Sequence, residues 1–309
     1  MIKNQKYDVV IIGGGPAGLT AGLYTSRAGL SSLLIEQGVA GGQIAVADQV
    51  DNFPGFPDGI TGTALGELLH QQATKYALKT INTEATAIES RKDQKVVKTA
   101  EGDITGRAVI IASGSNRVNL GIPGEQEFVG KGVSYCATCD AWFFRDQPVA
   151  VVGGGNAAIS EALHLGKFAS KVIVIHRRDK LRATRIVQEK AFAEPKIEFL
   201  WNTVVDAIEG KEVVKKLRLH NKLTEKKSVL DVSGIFVAIG FKPNTGYLKG
   251  ILPLDITGAI ITNNDVVTEI PGVFAAGDIR SGSGRQAITA AGDGATAAIY
   301  AERFIAGHG

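Results

Sequence analysis

Two stretches of the chain repeat one pattern of apolar and polar positions. Each begins with consecutive apolar residues, Val9–Ile12 and Val149–Val152, a pattern typical of a strand buried on both faces of a sheet. A glycine-rich turn, a helix-like segment and another apolar run follow, the last at Ser32–Glu36 and Lys171–His176. Strand–helix–strand alternation predicts parallel strands with right-handed crossovers. The predicted fold class is therefore α/β, with two Rossmann-like dinucleotide-binding domains.

Glycine and proline mark where one domain interrupts the other. Turn-like segments lie at Ser113–Asn116 and at Gly240–Asn244, and a second strand–glycine turn–helix unit lies between them. We therefore expect the second domain, residues 117–244, to be inserted into the first. The first domain then comprises residues 1–116 and 245–309.

The first glycine turn contains Gly13, Gly15 and Gly18 between a strand and a helix. Glycines at this spacing permit a tight turn, let backbone N–H groups approach a pyrophosphate and let the helix pack close to the sheet. Glu36 ends the next strand, where its carboxylate can accept hydrogen bonds from ribose hydroxyls. Because that carboxylate would repel a 2′-phosphate, this site is expected to take FAD or NAD.

The second glycine turn contains Gly153, Gly155 and Ala158, but the strand after it ends in His176–Arg178, with Arg182 further on. Arginine forks bind phosphate bidentately, and the strand does not end in an acid that would repel the phosphate. The turn therefore predicts an NADP(H) site. The alternative is a solvated basic surface turn.

The whole cysteine content of the chain lies in one tetrapeptide, Cys136 to Cys139. Cys-x-x-Cys brings two thiols close enough for a reducible disulfide and commonly lowers the pKa of one thiol. Zinc is the alternative, but it needs four ligands, and the histidines are scattered. We expect a redox pair and no metal. Asp140 is either a general acid for a leaving thiolate or a solvated carboxylate.

Net charge, apolar runs and cysteine content limit the binding partners and the cellular location that we expect. A net charge of +3 argues against nucleic acid or an anionic membrane as the main partner. No apolar run approaches the ~20 residues that span a bilayer, and no signal-peptide pattern precedes the first strand. Two cysteines in 309 residues do not make a disulfide-stapled secreted scaffold. A cytoplasmic protein is expected.

These motifs together resemble the low-molecular-weight, bacterial-type thioredoxin reductases over nearly the whole chain. The chain departs from the family pattern at Ala141-Trp142, where glycine usually follows Cys-x-x-Cys-Asp, and this could alter the approach of thioredoxin or the flavin. The segments that match in order and spacing are Gly13–Gly18, Gly41–Ile44, Asn52–Pro57, Cys136–Asp140, Gly153–Ala158, His176–Ala183, Gly272–Asp278 and Arg285–Ala287.

The resemblance implies FAD in the first domain, NADPH in the second, a homodimer, and thioredoxin or a thioredoxin-like protein as electron acceptor. It also implies that Cys139 faces the flavin, that Cys136 attacks the partner disulfide and that Asp140 is the acid. The residues expected to contact FAD are Gly13, Gly15, Pro16, Ala17, Gly18, Glu36, Gln37, Gly42, Gln43, Asn52, Asp278, Arg285, Gln286 and Ala287. Those expected to contact NADPH are Gly153, Gly155, Asn156, Ala157, Ala158, His176, Arg177, Arg178 and Arg182.

The expected reaction passes electrons from NADPH through the flavin and the cysteine pair to thioredoxin. Since the NADPH site and the cysteines belong to one domain and the flavin to the other, a rotation of the domains is expected in each turnover. Two alternatives stay open. One is a reductase that serves another thioredoxin-like or peroxiredoxin-system protein, such as the reductase component of an alkyl hydroperoxide system. The other is a flavin redox sensor without turnover.

Overall fold

The secondary structure alternates strands and helices along most of the chain. The computed structural model describes residues 6–47, 49–91, 94–248 and 250–307. The strands are β1 (Lys6–Ile12), β2 (Ser32–Glu36), β3 (Lys79–Asn82), β4 (Ala85–Arg91), β5 (Gln94–Thr99), β6 (Gly102–Ile111), β7 (Ser115–Arg117), β8 (Val133–Ser134), β9 (Pro148–Val152), β10 (Lys171–Ile175), β11 (Ile197–Leu200), β12 (Thr203–Gly210), β13 (Val214–Asn221), β14 (Lys227–Asp231), β15 (Gly234–Val237), β16 (Phe241–Pro243) and β17 (Val273–Ala275). The helices are α1 (Pro16–Arg27), α2 (Gly62–Thr74), α3 (Ala137–Asp140), α4 (Asn156–Leu165), α5 (Arg185–Ala193) and α6 (Ala287–Gly307), with 3₁₀ turns at Gly42–Val46, Ala141–Phe144, Gly246–Leu248 and Gly277–Ile279.

The chain folds into two compact units. Unit 1 is Met1–Asn116 with Lys242–Gly309, and unit 2 is Arg117–Phe241. The sequence places the second boundary after residue 244, within an expected loop, whereas the structure forms β16 there and places the boundary after Phe241. The strands of the two crossings, β7 and β16, pair with each other.

Unit 1 is built on a seven-stranded sheet in the order β3-β2-β1-β6-β5-β4, with β17 also paired to β6. β3, β2, β1, β6 and β17 are parallel, and β5 and β4 extend the sheet as antiparallel strands. Val9 and Ile11 pack on one face with residues of α1 and α6, and Val10 and Ile12 pack on the other with residues that include Ile260. Burial on both faces explains why β1 is apolar at consecutive positions.

Unit 2 contains a parallel sheet in the order β11-β10-β9-β15-β8 and a separate antiparallel sheet, β12-β13-β14. Val149 and Val151 of β9 pack with α4 residues such as Ile159. Ala150 packs on the opposite face with β13 residues such as Leu217. The parallel sheet of unit 2 is thus also covered on both faces.

The same strand order surrounds the glycine turn in both units. In unit 1 the strand before the turn, β1, lies between β2 and β6. In unit 2 the strand before the turn, β9, lies in the same way between β10 and β15. This order is that of a Rossmann-like dinucleotide-binding fold. The predicted fold class is therefore confirmed. Within the described ranges, no helix is both long and apolar enough to cross a membrane.

Candidate functional site

The first glycine turn joins β1 to α1 too tightly for side chains at two of its glycines. Gly13 has a φ of +107°, and a Cβ there would meet the carbonyl group of Ala112. A Cβ on Gly18 would collide with the carbonyl oxygen of Gly13. A Cβ on Gly15 would meet only the Gly41 oxygen, at 4.0 Å, so open space faces Gly15 at the N-terminus of α1. A helix N-terminus with such space suits a pyrophosphate.

Glu36 lies beside this turn because β2 pairs with β1 and ends there. Its Oε2 accepts the N–H of Gly14 at 2.5 Å, and its Oε1 accepts the N–H of Gly38 at 2.6 Å. Two backbone donors therefore hold the carboxylate at the turn. Gln37 is the next residue and is exposed.

The 3₁₀ turn Gly42–Val46 lies against the glycine turn. A Cβ on Gly42 would be 3.1 Å from the Cα of Gly15, which places the two glycines in close backbone contact. Gln43 follows, and its Nε2 donates to Oδ1 of Asn116 at 3.4 Å. The segment that begins with Gly41 and Gly42 therefore borders the open space at the N-terminus of α1.

The C-terminal motif of unit 1 approaches the first turn of α1 from another side. A Cβ on Gly277 would be 3.1 Å from the Cβ of Ala17. Asp278 comes next, and its Oδ1 accepts the Ser283 hydroxyl at 2.8 Å. Arg285 lies just before α6 with a φ of +51°. The structure therefore brings the two ends of unit 1 together at the glycine turn.

Asn52 and Gln286 join two further segments that are far apart in sequence. Nδ2 of Asn52 donates to Oε1 of Gln286 at 3.2 Å, and α6 begins at Ala287, directly after Gln286. Arg285, Gln286 and Ala287, three of the expected FAD residues, therefore stand at the start of α6, next to the segment that carries Asn52.

An ion pair that sequence reasoning missed holds the C-terminal motif. Asp293 of α6 accepts the N–H of Gly277 at 3.0 Å and binds Arg280 through two hydrogen bonds of 2.7 and 2.8 Å. The hydrogen bond to Asp293 raises the pKa of Arg280 above its usual value. Asp293 is the only charged residue in the first half of α6, and this was the available signal, since a partly buried charge needs a partner.

The second glycine turn has the same construction. Gly153 has a φ of +154°, and a Cβ there would meet Ala158 and the carbonyl of Ala238. A Cβ on Gly155 would meet nothing within 4 Å. Asn156–Ala158 form the first turn of α4, directly after this open position.

The loop after β10 is tied to this turn. The N–H of Arg182 donates to the carbonyl of Gly154 at 2.7 Å, and Oδ1 of Asn156 accepts the N–H of Thr184 at 2.7 Å. A Cβ on Gly154 would meet the ring of His176, which stands at the end of β10. The loop after β10 and the second glycine turn are therefore in direct contact and form one continuous surface.

Arg177, Arg178 and Arg182 are exposed on that loop, and none forms a salt bridge within the described part of the chain. His176 is buried, and its Nε2 lies 3.0 Å from the carbonyl oxygen of Lys180. Burial, together with the charges of Arg182 and Arg178, lowers the pKa of His176, so the imidazole is neutral at pH 7. The positive charge of the surface is carried by the guanidinium groups.

Cys136 and Cys139 form a disulfide with 5.3 Å between their Cα atoms. Cys136 is the N-cap of α3, and its Sγ accepts the N–H of Cys139 at 3.2 Å. Cys136 is half-buried and Cys139 is exposed. Residues His, Cys, Asp and Glu form no cluster of three that could hold a metal ion anywhere in the described ranges.

Asp140 ends α3 and receives a hydrogen bond that sequence reasoning missed. The Ser134 hydroxyl donates to Oδ2 of Asp140 at 2.6 Å and accepts the N–H of Cys136 at 3.1 Å. Asp140 is thus held beside the disulfide by the side chain of a strand residue. No local pattern around Ser134 indicated this contact.

Two exposed aromatic residues, Trp142 and Phe143, follow the disulfide in sequence. Ala141 is buried, whereas Trp142 and Phe143 are 61% and 58% exposed. The Trp142 ring packs edge-on against Phe168, and the guanidinium of Arg145 lies 5.1 Å from its centroid. The bulk of Trp142 is therefore directed to the surface and not into the core.

Comparisons with known proteins agree on one family. The family model for pyridine nucleotide-disulphide oxidoreductases matches residues 7–294. The chain is 44% identical over 305 residues to a thioredoxin reductase of Peptoclostridium acidaminophilum, covering 97% of both chains. It is 43% identical to that of Bacillus subtilis, covering 99% of this chain and 96% of the relative. The crystal structure of thioredoxin reductase from Streptococcus pyogenes matches with a TM-score of 0.94 and 42% identity, over 99% of this chain and 100% of that chain.

Proposed function

Because the chain belongs to the pyridine nucleotide-disulphide oxidoreductase family, and within it to the thioredoxin reductases, we infer that its two units divide the work of NADPH-dependent thioredoxin reduction. The cofactors are FAD and NADPH. When bound at the first glycine turn, FAD would supply the hydride and two-electron chemistry that links NADPH to a disulfide. The observation that carries the division is the Cys136–Cys139 disulfide, which lies in the same unit as the arginine-flanked glycine turn.

Unit 1 holds FAD at the first glycine turn. Support comes from the open space at Gly15, where backbone N–H groups at the start of α1 can bind the pyrophosphate. Glu36 is positioned for the ribose hydroxyls, and Asp278 for the ribitol chain. Gly42 and Gly277 approach the turn so closely that side chains there would occupy the cradle. The residues present therefore fit the cofactor.

Unit 2 holds NADPH at the second glycine turn. Gly155 again leaves open space before a helix, and this favours the pyrophosphate at the N-terminus of α4. Arg177, Arg178 and Arg182 are exposed together and without salt-bridge partners in the described ranges, so they are available for the 2′-phosphate. β10 does not end in an acid, whereas β2 of unit 1 ends in Glu36. The 2′-phosphate of NADPH therefore meets no repulsion of the kind that Glu36 would exert at the first turn.

Cys136 is the thiol that attacks thioredoxin. Once the disulfide is reduced, the Cys139 N–H that already donates to Sγ of Cys136 favours the thiolate at this position. The Cys136 thiolate attacks one sulfur of the thioredoxin disulfide, and a mixed disulfide forms as the other sulfur leaves. Cys139 then attacks Sγ of Cys136, which releases reduced thioredoxin and restores the Cys136–Cys139 disulfide.

Asp140 supplies the proton for the first exchange. The sulfur that leaves the thioredoxin disulfide carries a negative charge, and a carboxylic acid beside Cys136 can neutralise it. Asp140 stands next to Cys136 in the structure through its bond to Ser134. It gives up one proton in this step and becomes a carboxylate.

Thioredoxin docks against the aromatic pair Trp142 and Phe143. Large aromatic side chains are frequent binding anchors, and these two are exposed directly after the redox pair. A homodimer and a cytoplasmic location are proposed from the family resemblance. Service to a peroxiredoxin-system protein is the second candidate, but the curated relatives named thioredoxin reductase match over nearly their full length.

The test is an anaerobic titration of the holoenzyme. NADPH should bleach the yellow flavin, and oxidised thioredoxin should restore its colour. Cys136→Ser and Cys139→Ser should each still be bleached by NADPH but should not reduce thioredoxin. Substantial thioredoxin turnover by either variant would refute the assigned path. Turnover only with a peroxiredoxin-system acceptor would favour the second candidate.

A further inference from the structure

Ser134 is held in place by the parallel sheet of unit 2. It is the last residue of β8, its backbone pairs with Phe236 of β15, and 4% of its surface is exposed. Phe236 is fully buried and packs edge-on against Phe144, with 5.2 Å between ring centroids. The position of the Ser134 hydroxyl is therefore set by the core of unit 2 and not by the exposed surface that carries the disulfide.

This hydroxyl contacts both the acid and the backbone of the attacking cysteine. Its Oγ lies 2.6 Å from Oδ2 of Asp140, 3.1 Å from the N–H nitrogen of Cys136 and 3.4 Å from the Cys136 carbonyl oxygen. A separation of 2.6 Å falls in the range of charge-assisted O–H···O⁻ hydrogen bonds. One buried hydroxyl thus connects the two groups that must act together on thioredoxin.

A serine hydroxyl has one donor and two acceptor positions, and the three neighbours of Ser134 use them in two ways. While Asp140 is ionised, Ser134 donates to its Oδ2 and accepts the Cys136 N–H. While Oδ2 is protonated, Asp140 donates to Ser134, whose own proton turns to the Cys136 carbonyl. We propose that Ser134 is a positioning residue that holds Asp140 beside Cys136 in both of its protonation states.

The proposal rests on the role of Asp140 as the acid, and its proton balance follows from that role. As Sγ of Cys136 bonds to one thioredoxin sulfur and the thioredoxin S–S bond breaks, Asp140 passes its proton to the leaving sulfur. The Ser134 hydroxyl then turns from the Cys136 carbonyl to the new carboxylate. Ser134 gains and loses no proton, and it stabilises the charge that the step leaves on Asp140.

The test compares Ser134→Ala with Ser134→Thr in the holoenzyme. General acid catalysis contributes about 10²–10⁴-fold, so loss of positioning should lower kcat for thioredoxin by roughly tenfold and leave KM nearly unchanged. Because the carboxylate loses a donor, its protonated form persists to higher pH, and the alkaline limb of the kcat profile should move upward. Bleaching of the flavin by NADPH should keep its rate. Ser134→Thr retains the hydroxyl and should recover most of kcat.

Two further variants separate this proposal from the role of Asp140. Ser26→Ala is the matched control, because the Ser26 hydroxyl is also enclosed but has no hydrogen-bond partner in the described ranges, and it should behave as the unmodified enzyme. Unchanged kcat in Asp140→Asn would show that Asp140 is not the acid. A loss in Asp140→Asn without a loss in Ser134→Ala would overturn only the positioning role. Equal losses in Ser134→Ala and Ser134→Thr, or a Ser134→Ala profile of unchanged shape, would also overturn it.

Discussion

We expect the choice of coenzyme to depend on individual arginines in the loop after β10. Each charge-assisted hydrogen bond contributes about 1.5–3 kcal/mol, so two arginines on a 2′-phosphate give roughly 10²–10⁴-fold preference for NADPH over NADH. Replacing Arg177 and Arg178 together with alanine should remove this preference, mainly by raising KM for NADPH, and leave NADH kinetics unchanged. Arg185→Ala is the control, because Arg185 is exposed and paired with Glu189. Equal use of both coenzymes by the unmodified enzyme would refute the assignment.

Trp142 follows Ala141, where the family pattern usually has glycine, and it belongs to the proposed docking surface. Truncating an interface anchor costs about 2 kcal/mol or more, so Trp142→Ala should raise KM for thioredoxin by roughly tenfold or more. Turnover with a small aromatic disulfide should stay the same, since it needs no docking surface. Leu223→Ala removes an exposed apolar side chain elsewhere in unit 2 and serves as control. An unchanged KM for thioredoxin in Trp142→Ala would exclude Trp142 from the interface.

At the scale of elements, α6 packs on α1 beside the proposed FAD site. A Cβ on Gly294 of α6 would collide with the carbonyl oxygen of Ala17 in α1, whereas a Cβ on Gly292 would meet nothing within 4 Å. Gly294→Ala should therefore destabilise unit 1 by about 1–3 kcal/mol and speed FAD loss, although alanine favours helix. Gly292→Ala is the matched control and should stabilise by up to about 1 kcal/mol. Thermal unfolding measures the stability of each variant, and the rate of FAD release measures how well it retains the cofactor. Equal effects of Gly294→Ala and Gly292→Ala would contradict the proposed contact between α6 and α1.

Helix α4 carries a carboxyl group that makes stability depend on pH. Burial raises the pKa of Glu161 from 4.5 to about 7, and its Oε2 has no hydrogen-bond partner in the described ranges. Between pH 4.5 and about 7, Glu161 binds a proton in the folded state that it lacks in the unfolded state. The free energy of unfolding therefore falls as the pH rises through this range, and Glu161 causes no further change above it.

Glu161→Gln should therefore raise the melting temperature at pH 8 and have little effect near pH 4.5. The ceiling of the gain is about 3 kcal/mol, from roughly 1.4 kcal/mol per pKa unit. Glu212→Gln, at an exposed position between β12 and β13, is the control and should leave the melting temperature unchanged at both pH values. A gain for Glu161→Gln that is the same at both pH values would show that the group is not protonated in the folded state near neutrality.

At the scale of the whole molecule, the chain should be a yellow homodimer with one FAD per chain. The stoichiometry follows from a single FAD-type glycine turn with an acid at the ribose position in unit 1, since the corresponding turn of unit 2 is followed by arginines. Sedimentation equilibrium should give twice the mass of one chain, and the ratio of flavin absorbance to protein should give the FAD content. A monomer would refute the proposed assembly, and two FAD molecules per chain would refute the division between the units.

The sequence by itself determined the features whose physical cause is local. A positive φ at Gly13 and Gly153 is a requirement of the turn between a strand and a helix, so glycine spacing predicted both strand–turn–helix units. Consecutive apolar residues revealed the parallel strands, because a strand buried on both faces has no polar side. The Cys136–Cys139 pair was equally local, since a separation of three residues already brings the Cα atoms to 5.3 Å.

Only the tertiary structure decided which distant segments meet. Gly277 packs on Ala17, and Asn52 bonds Gln286, because strand order and helix packing fold the ends of unit 1 onto each other. The Ser134–Asp140 bond arises because β8 joins the sheet beside β15 and so places a strand residue under α3. Such contacts depend on register and packing between elements. No local run of residues carries that information, and the hydrogen bond between Ser134 and Asp140 therefore became visible only in the folded chain.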